Sequence, residues 1–538
     1  MRSAWRWLAV VFALVLVAAA CGDDDGDSGA TGDDGDDSGQ EVPSGDEAGC
    51  DETVPGTALE WGVFAPTASL DPPQVSGALV GGTEIAAIYD TLMRFDHENN
   101  EFVPHLAESM ESNDDFTEWT LNLRDDITYS DGTQLTAQMV SDNMDRYLEE
   151  GVRNTSGGFL LPITEKTVVD DTTLEMTLET SWAEFPFVFA DEPGMIVNLS
   201  AIGDDAEAFG AQPPESAGVG PYVVERNVPG EELVLTARDD YWGGPVCIET
   251  VTFSFIPGSQ ATYEAFQSDD FNVAFLRDPV VINEARQAGD DGFFVPQDAG
   301  ALVIFNQAEG RPGADPRVRE AAALAFDVEV VNQRAYQGQF ETGKAFVLEG
   351  SRFFSDEIEE MPTDPDRAAE LVEEAKADGW DGSIEIFCAD NPPASEVAIA
   401  VQGLWEAVGM DVEVRTIGQS DQIGEVVQGN FDAACWGFNS GPATGITSYL
   451  RNLDSESVSN RMSYASEEMD AALIDLLAAS GDEELQAAVA EVNRINNEDS
   501  VAVSYGTPEE GIVWKPDVKG LVPTAATIFL LDKAYIEE

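Results

Sequence analysis

His97 and His105 lie in the stretch FDHENNEFVPHLAE, with Glu98 and Glu101 between them, and a metal site can be imagined there. Imidazoles and carboxylates are the right ligand types for zinc. A zinc helix, however, sets its two histidines four positions apart on one face, which this spacing does not do. A turn followed by an exposed segment explains the pattern better. The serine of GFNSG is displaced by one position from a nucleophile elbow. Around Lys344, ETGKAF lacks the rest of a phosphate-binding loop. Among 103 acidic residues a glycosidase-like carboxylate pair can arise by chance anywhere, and nothing singles one out. The reading is therefore of no catalytic residues, no metal and no cofactor.

Binding chemistry is better represented. Residues 431–440 read FDAACWGFNS, a mostly apolar run to Trp436 followed by Gly437, Phe438, Asn439 and Ser440. The first part has the texture of a buried strand, and the second of a strand end opening onto a ligand. Phe64, Phe159, Trp436 and Phe438 all stand near chain breakers. There an aromatic ring can serve as a stacking wall as well as a core residue.

The elements around these residues predict how they are positioned. TALEWGVF is a strand ending at Phe64, and GGTEIAAIYDTLMRFD carries Ile85, Ile88, Tyr89 and Leu92 at helical spacing. WTLNLR and TTLEMTLE alternate as half-buried strands, with the amphipathic helix LTAQMVSDNMDRYLEE between them. GPYVVERN and ELVLTARDDYW form a hairpin across VPGE, followed by the strand IETVTFSFI. Beyond residue 300 come the strand ALVIFNQ, one helix over PRVREAAALAFDVEVVNQRAY, and a second helix opened by Asp364-Pro365. Strands at 384–388, 411–417 and 431–436 then alternate with helices at 395–408 and 420–428, the pattern of βαβ units and a parallel sheet. Ligands bind beyond the carboxyl ends of such strands, here Asp390-Asn391-Pro392, Gly418-Gln419-Ser420 and Gly437-Phe438-Asn439.

With 26 basic and 103 acidic residues the formal charge is −77, which excludes nucleic acid as a partner because its phosphates would be repelled. The N-terminus, MRSAWRWLAVVFALVLVAAAC, has the charged start and short apolar run of a signal peptide. The run is too short for a comfortable membrane span of about 20 residues. Small residues before Cys21 resemble the lipobox of bacterial lipoproteins, which implies a signal peptide over 1–20 and lipidation of Cys21. Residues 21–50 then form an acidic tether with almost nothing to bury. Cys50, Cys247, Cys388 and Cys435 remain, an even number in an exported chain, hence two disulfides with three possible pairings.

The order of motifs resembles the peptide/nickel-binding family of extracytoplasmic solute-binding proteins, family 5, receptors for ATP-driven importers. The resemblance rests on IYDTLMRFDHENNEFVPHLAESMESNDDFTEWTLNLRDDITYSDGTQLTAQMV, on GVGPYVVERNVPGEELVLTARDDYWGG, and on FNQAEGRPGADPRVREAAALAFD followed by DPDRAAELVEEAKADGW. It covers roughly 58–538. It implies an α/β, two-lobed periplasmic-binding-protein fold of type II, hinged, with an extra subdomain. Lobe I would comprise 51–88, 216–296 and 501–538, the inserted subdomain 89–215, and lobe II 297–500. The implied function is capture of a small, peptide-like or other polar solute between the lobes for delivery to the permease subunits of an ABC transporter. The chain would act as a monomer, anchored by its lipid to the outer face of the membrane.

The same resemblance implies ligand contacts from Phe64, Thr67 and Ala68, from Phe159, and from Trp436 with Phe438. The family places an aspartate three residues after the tryptophan to take a peptide's ammonium group. This chain has Asn439 there, and Asp390 is the candidate to supply the missing charge. Cys50 precedes the first strand of the lobe that holds Cys247, and Cys388 and Cys435 both sit near carboxyl ends of lobe II strands. The expected bridges are therefore 50–247 and 388–435. A surface hydrolase and a solute-sensing receptor are the alternatives on the same fold.

Overall fold

The computed structural model describes residues 50–537 except 64, 76–79, 150–155, 440, 444 and 458. Two of the expected functional positions, Cys21 and Phe64, lie outside the described residues.

Three sheets organise the fold. The first has seven strands in the order Asp291–Pro296, Glu509–Trp514, Val273–Leu276, Val54–Val63, Ile248–Phe255, Glu232–Ala237, Tyr222–Val228. Its first chain segment, Val54–Val63, runs parallel to both neighbours, and the hairpin expected across VPGE pairs antiparallel from Tyr222 to Ala237. The second is a four-stranded antiparallel sheet of Ala107–Ser112, Glu118–Leu123, Thr173–Leu178 and Ile163–Val168. Here alternation has its usual cause: Trp119, Leu121 and Leu123 point inward with Leu174, Met176 and Leu178, and their sequence neighbours face outward.

The third sheet has five strands, in the order Asp411–Ile417, Ser383–Ala389, Ala433–Trp436, Ala301–Phe305, Ala502–Gly506. The first three are parallel, as the βαβ alternation predicts. Ala301–Phe305 then pairs antiparallel with both Ala433–Trp436 and Ala502–Gly506, so the sheet is mixed. All five residues of Ala301–Phe305 are buried, the mark of a strand covered on both faces. Ala502–Gly506 thus completes the third sheet, and the chain returns to the first sheet at Glu509.

The single helix expected over 316–336 is two, Pro316–Leu324 and Val328–Ala335. The Asp327 carboxylate accepts from the backbone N–H of Glu329 and Val330, so it starts a new helix instead of sitting inside an old one. Asp315 and Asp364 cap their helices in the same way, each followed by the proline that suits the first helical position.

Cys50 bonds to Cys247 and Cys388 to Cys435, with Cα atoms 5.7 and 4.9 Å apart. The second pair follows from register: Ile386 faces Ala433 and Phe387 faces Ala434, which brings Cys388 beside Cys435 on neighbouring parallel strands. Removing that bridge with Cys388→Ser and Cys435→Ser should cost about 2–4 kcal/mol of stability. Urea unfolding of the variant would show it, and an unchanged midpoint would mean the bridge constrains nothing.

Candidate functional site

The chain crosses between the first and third sheets twice, at Gln297–Gly300 and at Thr507–Pro508. The crossings are tied together by Gln297 N–H donating to Pro508 O at 2.8 Å. Gly506, at φ 150°, sits where an added Cβ would come within 2.1 Å of Glu341 O, so a side chain would force the second crossing aside. These strands form the hinge of the two-lobed fold.

Beside the hinge lies a cavity of about 490 Å³. The third sheet contributes Trp436, Gly437, Phe438 and Asn439, and the helix Gly445–Leu453 contributes Thr447, Ser448, Arg451 and Asn452. Phe159, Phe187 and Asp191 enter from the inserted subdomain, and Val295, Gln297 and Glu510 from the hinge side. A site between structural units, mostly apolar with a few convergent polar groups, is the ordinary form of a small-molecule pocket.

The stretch FDAACWGFNS makes its corner of the cavity by close backbone approach. A Cβ on Gly437 would stand 2.3 Å from Gly300 O, so only glycine lets this strand end pass the hinge. Phe438 N–H donates to Ala299 O at 2.8 Å, and the Phe438 ring meets Phe346 edge-on at 5.6 Å. Phe438 is buried, so it is as much a core residue as a lining one. Trp436 is half-buried and presents a wall. Asn439 is exposed in a left-handed conformation at φ 57°, which asparagine tolerates better than most residues.

Four of the expected binding residues, Phe159, Trp436, Phe438 and Asn439, therefore share one cavity. Three others do not line it. Thr67 donates its hydroxyl to Glu84 at 2.9 Å, Ala68 is exposed elsewhere, and Asp390 is an exposed residue at the end of its strand. The carboxylates that do face the cavity are Asp191 and Glu510.

Asp191 is buried beside Glu192, and the Ser156 hydroxyl lies 3.1 Å from Asp191 Oδ2 and 3.0 Å from Glu192 Oε2. Burial, reinforced by the adjacent Asp191 charge, raises the Glu192 carboxyl well above its usual range. Glu510 is pushed up to about 7 by burial, against the pull of Arg277 at 3.3 Å. His97 also borders the cavity. Burial lowers its pKa, and its Nε2 lies 3.1 Å from Thr524 O.

His105 is elsewhere. Burial pulls its pKa down, but Asp90 at 3.2 Å outweighs this and the net shift is upward. The same Asp90 accepts from Tyr241 and Trp242, both at 2.9 Å, so the YWGG corner is a structural clasp. Among the described residues no group of three metal-ligand side chains converges.

Sequence reasoning missed Asp191, Gln297, Arg451, Arg461 and Glu510. Only the arginines left a trace: two within SYLRNLDSESVSNR are conspicuous in a chain with four times as many acids as bases.

The family model for bacterial extracellular solute-binding proteins, family 5 (middle), matches residues 101–460. Heme-binding protein A of Haemophilus influenzae is 24% identical over 434 residues, covering 74% of this chain and 77% of that protein. The dipeptide-binding protein of Escherichia coli is 25% identical over 380 residues, covering 65% of this chain and 70% of that one. The crystal structure of Haemophilus influenzae OppA in complex with RPPGFSPFR superimposes with a TM-score of 0.74 at 18% identity, covering 90% of this chain and all of that one. With the family model spanning most of the folded body, and the two-lobed architecture with its hinge-side cavity, this chain belongs to the bacterial extracellular solute-binding proteins of family 5.

Proposed function

We propose that this protein captures a small polar or peptide-like solute in the cavity between its lobes and hands it to the permease of an ABC importer. The observation that carries the reading is the cavity itself. Its walls come from both lobes and the subdomain and meet at the hinge, so a solute bound there favours the closed arrangement. A ligand that touches both sides supplies the differential affinity such closure requires.

The anchoring expected at Cys21 belongs to the same reading: a lipidated N-terminus with an acidic tether would hold a monomeric receptor at the outer face of the membrane. Cys21→Ser should then move the protein from the membrane fraction to the medium. The function is tested by native mass spectrometry of the purified protein and by uptake assays in a deletion strain. Loss of uptake of the co-purifying solute is the expected outcome. Chemical turnover of that solute by the purified protein would instead favour a hydrolase.

Within the cavity, Trp436 and Phe159 serve as apolar walls and Asn439 as an uncharged hydrogen-bonding group. Asn439→Asp should strengthen binding of dipeptides with a free N-terminus about tenfold, the yield of one charge-assisted hydrogen bond. Aspartate also tolerates the left-handed backbone, so the fold should not object. Calorimetry on both variants decides the matter. Equal affinities would reduce Asn439 to a turn residue.

A further inference from the structure

A cleft of about 520 Å³ opens on the other side of the hinge from the cavity, and among the described residues the two share no lining residue. Successive residues of Glu509–Trp514 point to opposite faces of their strand, so Glu510 lines the cavity while Glu509 lines the cleft. One edge is the helix Pro279–Ala288, whose Val281 and Ile282 pack with Val513 of the first sheet. The other is the turn ending at Glu341, where the Phe340 ring meets Tyr505 of the third sheet at 6.3 Å. The Asn283 side-chain amide donates across the cleft to Gln339 O at 3.0 Å. Thr507, in the second hinge crossing and 3% exposed, forms the floor. Arg286 and Glu509 are spent on each other in two hydrogen bonds of 2.7 and 2.6 Å. The Glu341 carboxylate, exposed at the rim, is bonded to no group among the described residues. Partial desolvation and then the Glu509 carboxylate raise its pKa, against the pull of Arg286. The Thr507 hydroxyl is buried and bonds no protein group either, although its backbone N–H donates to Glu341 O at 3.1 Å. A buried hydroxyl left without a partner is unfavourable, and here it borders a cleft open to solvent.

We infer that this cleft is a second ligand site, taking a small hydroxylated organic cation whose ammonium group sits on Glu341 and whose hydroxyl reaches Thr507. With Arg286 neutralised by Glu509, the lining keeps the one negative charge of Glu341. An anion is repelled by it, and a neutral molecule leaves it uncompensated. An ammonium group forms charge-assisted hydrogen bonds with the carboxylate, roughly twice as strong as neutral ones. The Thr507 hydroxyl and the side-chain amides of Asn283 and Gln339 offer both donors and acceptors, which suits hydroxyls carried beside the amine. The site stands apart from the cavity and does not depend on the solute-receptor reading.

The test is calorimetry and thermal shift on the whole folded protein, with glucosamine, glucose and gluconate as cationic, neutral and anionic probes of one size. Glucosamine should bind at least tenfold more tightly than glucose, and gluconate should not bind. Glu341→Gln should remove the preference and Glu341→Asp should keep part of it. Glu341 is exposed, so both variants should melt near the wild type. Thr507→Val should weaken glucosamine at least threefold while melting at or above the wild type, because it deletes a hydroxyl that bonds no protein group. Trp436→Ala, which alters the wall of the cavity, should leave glucosamine binding as it is. Equal binding of glucosamine and glucose overturns the site, as does a preference that survives Glu341→Gln. Loss of glucosamine binding in Trp436→Ala would place the probe in the cavity and also overturn it. Melting of Thr507→Val far below the wild type would show that the hydroxyl serves the hinge itself, and overturns its role as a ligand contact. No binding of glucosamine at millimolar concentration overturns the proposal outright.

Discussion

Replacing Arg352 with methionine should destabilise the protein by about 3–5 kcal/mol, the usual cost of breaking a buried ion pair from one side. The Arg352 side chain is 4% exposed. Its guanidinium reaches Glu184 of the inserted subdomain at 2.7 Å and Asp482 at 2.8 Å. Burial raises the pKa of Glu184, and Arg352 pulls it back down. Without the arginine, Glu184 must take up a proton or water. The contact is reinforced nearby, where Ala183 N–H donates to Leu477 O at 2.8 Å, and one apolar cluster runs from Trp119 and Phe185 of the subdomain to Phe346 and Leu473 of the second lobe. The pair thus bears on how the subdomain meets the second lobe as well as on folding. A double-mutant cycle with Glu184→Gln, read by urea unfolding, should give a coupling of 1 kcal/mol or more by the order of such contacts, about 0.5–3 kcal/mol. Additive effects would show that the two side chains merely lie close. Solution scattering of ligand-free Arg352→Met should also show a larger radius of gyration if the contact holds the lobes together.

Asp298 should make stability fall as pH rises. It lies in the first hinge crossing, 1% exposed, and burial pushes its carboxyl up to about 8 despite the Ser351 hydroxyl that donates to it. The folded-state pKa is raised above the unfolded one, so between roughly pH 4 and 8 the folded protein holds a proton that the unfolded chain has released. The stability contribution is whole below about pH 4, declines through that window and levels off above about 8, with a total of order 5 kcal/mol. Asp298→Asn keeps the shape and removes the titration, so its melting temperature should vary much less over the window. Glu510, raised to about 7, should leave a smaller residual slope of the same sign. A variant with the same pH profile as the wild type would place the titration elsewhere.

The family and its motifs were legible in the sequence because local patterns suffice for them. Alternation in Glu118–Leu123 and the Asp-Pro starts at 315–316 and 364–365 are decided by residues within a few positions of each other. So is the strand from Ala433 to Trp436 that carries a tryptophan to its exit. The Cys388–Cys435 pairing follows the register of two neighbouring parallel strands of the βαβ run, whereas Cys50–Cys247 joins segments 197 residues apart. The split of the helix at Asp327 was in principle readable, because a capping aspartate followed by two residues with free N–H groups is a local signal.

Tertiary structure decided what long-range packing brings together. Asp390 and Asn439 end neighbouring elements of one sheet, yet only Asn439 reaches the cavity. One carboxylate that does reach it, Asp191, comes from a segment almost 250 residues earlier whose sequence shows only aromatic packing. Ala502–Gly506 joined the third sheet because its fully buried residues needed a sheet edge beside Ala301–Phe305, a partner some 200 residues away. Arg451 reads in sequence as one more charge on a helix; only the fold places it in the lining of a pocket. Composition and periodicity report what a residue requires of its immediate neighbours. Which distant group meets that requirement is set by the hinge and the packing of the lobes, and the character of the solute depends on it.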